Sequence, residues 1–287
     1  MAMPFGHVET LALDHLGVVA AVVRELGLVE KIDRRLAVTD RAKVSRGQRV
    51  LALILNGLGF SRDRLYLVSR FFHHKPVERL IGPGVRADDL NDEALGRGLD
   101  EIAQYGSTRL FAERAYEVGT EQGLLERFAR REPTSLGVYG EYAKERPVEA
   151  LGVQARPPDA GVGPRLPYGY AKDHRPDLKQ LVRSLTMTGE ASRPRGLEAL
   201  DGHRADGASF HETRARGAAF RQPLAEAPAL IGVADFALYP VDALLVRPER
   251  PWGTRVPQTV GAAKAARARH PPRGLTGASW ARAIGGR

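Results

Sequence analysis

Asp235 stands inside the apolar run VADFALYP (233–240), and an acid embedded in such a run marks a strand able to deliver a carboxylate to a metal or phosphate site. A second cluster, Asp173, His174, Arg175 and Asp177 in the segment DHRPD, could bind phosphate or metal, but the better expectation is a satisfied polar turn leading into a strand. His73 and His74 are adjacent and diverge on a helix, so shared metal binding is not expected of them. The chain has no cysteine, which excludes thiol nucleophiles, cysteine-ligated zinc and a disulfide framework. GLGF lacks the lysine and spacing of a phosphate loop, GVGPRL is interrupted by proline, and no nucleophile elbow is present. What chemistry remains rests on carboxylates, histidines and hydroxyls. Acids then run out: past Asp242 the only carboxylate side chain is Glu249, in the proline-flanked RPERPW. A working metal site should need one more.

The elements that must position these residues fall into two textures. Residues 11 to about 128 read as helix after helix. Leu16, Val19, Val23 and Leu26 line one face of a first helix that Gly27 can end. Ser45 with Gln48 is a capping-box signature ahead of VLALILNGLG, whose all-round apolar character suits a central buried helix. A further helix holds LYLVSRFF, Asn91 is an N-cap followed by two acids, and Ser107 starts TRLFAERAYEV. From Thr134 the texture changes to short β-leaning segments: TSLGVYGEYA, the linker-like RPPDAGVGPRLP, then LKQLVRSLTMT, RGLEALDG and ALIGVADFALY, with a helix expected between Ser209 and Leu224. Strands as a group, then a helix, then a strand carrying an acid fit an α/β core of the ribonuclease H-like type, although periodicity alone does not separate it from other α/β folds.

Length allows two compact domains within 287 residues, and 43% hydrophobic content argues against disorder throughout. The N-terminus lacks the basic stretch and long apolar core of a signal peptide, and the longest apolar runs are too short to span a bilayer, so a cytoplasmic protein with no membrane partner is expected. A net charge of +9 suggests a polyanionic partner, but residues 247–287 hold nine Arg or Lys against one Glu and so carry +8 of it. Charge therefore points to a sticky tail more than to a basic groove on the folded body. Trp252 to Arg255 and Lys264 to Arg269 could touch DNA phosphates, with an affinity that falls steeply with salt, although a charged tail is more often simply solvated.

The phrases LGLVEKID, KVSRGQRVLALILNGLGF, LYLVSRFFHHKPVERLIGPGVRADDLNDEALGRGLDEI, GEYA, GYAKDHRPDLKQL, ALDGHRADGASF, VADFALY and TRVPQT, in this order, resemble insertion-sequence transposases of the DDE class, specifically the IS-four-type group with an all-helical N-terminal domain. The resemblance covers most of the chain. It implies an α/β fold class, with an N-terminal all-α domain (1–130) and an incomplete ribonuclease H-like core (131–265), while by its own composition the last stretch reads as a basic, disordered tail (266–287). The resemblance implies double-stranded DNA at element ends as partner, with the chain itself or an intact transposase as a second one, and Mg²⁺ or Mn²⁺ as cofactor in intact relatives. Asp201 and Asp206, with His203 and His211 nearby, fall in a loop motif of the family and are expected to be structural.

Members of that group read D-[ST]-T-S at the end of the first core strand, where this chain has Glu132-Pro133-Thr134-Ser135. The resemblance puts Glu132 at the first catalytic, metal-binding acid and Asp235 at the second. The third would lie beyond TRVP, and none of the 30 residues after Pro257 is acidic. Strand transfer uses two Mg²⁺ ions roughly 3.5 to 4 Å apart to clamp the attacking and leaving oxygens, and such ions want carboxylate oxygens in near-octahedral geometry. Glu for Asp keeps the charge but lengthens the arm by a methylene, and misplacement of about 1 Å can cost on the order of a hundredfold in rate. Pro133 cannot donate to a strand ladder and restricts Glu132 to extended conformations. The expectation is a truncated or degenerate transposase with a weak or absent metal site. The alternative is a non-catalytic remnant that binds element ends or inhibits an intact transposase.

Overall fold

The computed structural model describes residues 10–11, 13–36, 42–59, 64–140, 164, 166–168, 175–188, 193–202, 231–234 and 252–254. The chain divides into two compact units, residues 1–110 with 152–161, and residues 111–151 with 162–287. N-terminal helices are followed by a mixed sheet, which makes the fold class α/β.

The first unit is built from α1 (Leu16–Glu25), α2 (Leu28–Arg35), α3 (Arg46–Leu58), α4 (Val68–Phe72), α5 (Val77–Leu80) and α6 (Asp92–Tyr105), with one-turn 3-10 helices at Leu65–Leu67 and Ala87–Leu90. Gly27 takes a left-handed conformation, φ +57°, which lets the chain leave α1 and enter α2 at once. At Ser45 the hydroxyl accepts the Gln48 backbone N–H while the Gln48 side chain accepts the Ser45 N–H, so the expected capping box starts α3. Asp33 reinforces that end by accepting the Gly47 N–H at 2.7 Å. Gly47 is required there, because a Cβ would lie 2.3 Å from the Val29 carbonyl oxygen. The Asn91 side chain accepts the Ala94 N–H at 2.9 Å and caps α6 as expected. Leu16, Leu51, Leu55, Phe72, Leu80 and Leu95 are among the side chains that close the core around α3. α3 is central, yet not buried all round: Leu58 is 53% exposed. Its apolar run exceeds what its neighbours cover.

The second unit takes most of α7 (Ser107–Glu121), which crosses the boundary between the units, and a five-stranded sheet. Its strands are β1 (Phe128–Val138), β2 (Lys179–Thr188), β3 (Pro194–Asp201), β4 (Ile231–Ala234) and β5 (Trp252–Thr254), in the order β3-β2-β1-β4-β5. β1, β2 and β3 are antiparallel neighbours, while β4 is parallel to β1 and β5 to β4. β1 begins six residues before the Thr134 at which the sequence texture changes. The reason is that FARREP reads as a charged loop, whereas strand alternation turns one of its charges inward and the others outward. The strand also runs through position 130, where the sequence divides helical from core segments. The expected helix between Ser209 and Leu224, the linker-like RPPDAGVGPRLP for the most part, and the tail 266–287 lie outside the described residues. Among the described residues no helix is long and apolar enough to cross a membrane.

Candidate functional site

β1 pairs with β2 along nearly its whole length, from Ala129↔Thr188 to Val138↔Lys179, without a shift in register. Period-two alternation then gives the strand two faces. Phe128, Arg130, Glu132, Thr134 and Leu136 are exposed, while Ala129, Arg131, Pro133 and Ser135 are buried or half-buried. Glu132, the sequence-predicted first acid, therefore presents its carboxylate on the open face, opposite Leu185 of β2, which is itself opposite Leu197 of β3. Arg130 and Arg183, both exposed, flank it along and across the strands.

The neighbouring Arg131 faces the other way and is buried, and its Nε donates to the Ser184 hydroxyl at 2.6 Å. Ser184 is opposite Glu198, also buried, so the covered face of the sheet carries a polar row from β1 to β3. Burial of these groups is tolerable only with hydrogen-bond partners, and the Arg131–Ser184 bond supplies one. Sequence reasoning missed both residues. The one available signal was alternation across FARREPTS, which places 131 and 132 on opposite faces of any strand.

Asp235 lies outside the described residues, which end in this region at Ala234. β4 runs parallel to β1 with Phe128↔Ile231 and Arg131↔Ala234 as the first and last pairs. Positions 132 and 235 are thus each the next residue along the chain from the last paired residues. Among the described residues no three His, Asp or Glu side chains gather as a metal site, and Glu132 is the one carboxylate at this end of the β1–β4 pair.

The remaining sequence candidates lie partly among the described residues. Arg175 and Asp177 form a two-pronged pair, Nε to Oδ1 at 2.7 Å and Nη2 to Oδ2 at 2.6 Å, in the turn that leads into β2. The guanidinium holds the Asp177 carboxyl below its ordinary range, and the carboxylate raises the arginine in return. This is the polar turn expected of the segment, while Asp173 and His174 lie outside the described residues. His73 is half-exposed with Nε2 at 3.2 Å from Asp88 Oδ1, and His74 is exposed. Asp201 ends β3 opposite Leu181, and His203, Asp206 and His211 lie outside the described residues.

Residues 8–116 match a family model described as a domain of unknown function (DUF4277). That segment coincides with the helical part of the chain and stops before β1. No curated protein matches the chain, and no solved structure does.

Proposed function

We propose that this chain is a homologue of DDE-class insertion-sequence transposases, built for metal-dependent DNA cleavage and strand transfer but impaired in that chemistry. The observation that carries this reading is the sheet. An order of β3-β2-β1-β4-β5, with three antiparallel strands and two more parallel to the central one, is the arrangement expected of a ribonuclease H-like core. Continuing the β1–β4 register by one residue would set Glu132 beside Asp235, the two acids that the transposase resemblance nominates. In-line phosphodiester displacement needs carboxylates that hold Mg²⁺ or Mn²⁺ against the attacking and leaving oxygens, and these two would be the first ligands. Impairment follows from Glu132, a methylene longer than the aspartate of the family pattern, and from Pro133 next to it.

The expected result is that the purified chain, given Mg²⁺ or Mn²⁺, does not nick supercoiled plasmid above background. Metal-dependent nicking that disappears in Asp235→Ala would overturn the impairment and strengthen the transposase reading.

A second reading, duplex-DNA binding without cleavage, is favoured by the net charge of +9. Footprinting on terminal inverted repeats separates the two. Protection confined to the ends, with no cleavage, marks a binding protein that can occupy the sites of an intact transposase. DNA and a cytoplasmic setting, rather than a lipid surface, remain the partner and place this proposal requires.

A further inference from the structure

We draw no further inference here: the strongest candidate, the surface patch of Val18, Ala21 and Val22 on the outward side of α1, is an unpartnered apolar helix face, and nothing in the structure shows what covers it.

Discussion

On β1 a step of one residue decides whether a charge is spent inside the protein or offered outside it. Arg131 is buried and donates to Ser184, while Glu132 is exposed on the opposite face. Ser184→Ala should therefore cost about 1 to 3 kcal/mol in urea unfolding, because it strips a buried guanidinium of a partner. Glu132→Gln should change stability by less than about 0.5 kcal/mol, as an exposed position implies. A reversal of that order would mean the faces are assigned wrongly. In the helical unit, Asp89 accepts from the Lys43 ammonium at 3.0 Å and from the Arg86 backbone N–H at 2.8 Å. The lysine bond is the larger cause that holds its carboxyl below the ordinary range, against a smaller opposing effect of burial. A carboxyl lowered on folding lends stability above its unfolded value, about pH 4, and loses it as pH falls through the lowered folded value. Asp89→Asn should flatten that part of the acid limb, measured as unfolding free energy between about pH 5 and 2.

At the scale of elements, the helix caps and the starts of β2 and β3 were legible, and the start of β1 was not. Ser45, Gln48 and Asn91 announce their caps because the hydrogen bonds are local, made within three residues. α2 goes unannounced as a separate helix, because it begins at the same glycine that ends α1. β1 is hidden for a different reason: its partners lie far along the chain, and FARREP owes its strand state to β2 and β4 rather than to its own composition. The polar turn at Arg175 and Asp177 was readable, and the burial of Arg131 against Ser184 was not, since nothing in the local sequence says which face is covered. Two substitutions at the start of α3 should differ in size. Ser45→Ala removes a cap worth about 1 kcal/mol. Gly47→Ala drives a methyl to 2.3 Å from the Val29 carbonyl and should cost at least about 2 kcal/mol, or separate α2 from α3. Thermal unfolding of the two variants side by side checks the ranking.

For the whole molecule, charge is distributed unevenly along the chain. The described helices and strands lie between Leu16 and Thr254, whereas residues 247–287 carry +8 of the net +9. Duplex binding driven by that segment should weaken steeply between about 50 and 200 mM salt. Charge-neutral replacement of the basic residues beyond Thr254 should remove most of the salt dependence. End-specific recognition, if it resides in the helical unit, should survive that replacement, and retention of the full salt slope would place the phosphate contacts on the folded units instead.

The mixed sheet also has a history in time. β1 must wait for residues 231–234, roughly a hundred positions downstream, before its parallel partner exists, and loop closure of that span makes the pairing slow. During synthesis β2 and β3 can zip onto one border of β1 while the other still offers free amides and carbonyls, with Phe128 and Leu136 uncovered on one face. A chain cut short after residue 201 would thus present an adhesive, half-finished ribbon, and β4 acts as its closing seam.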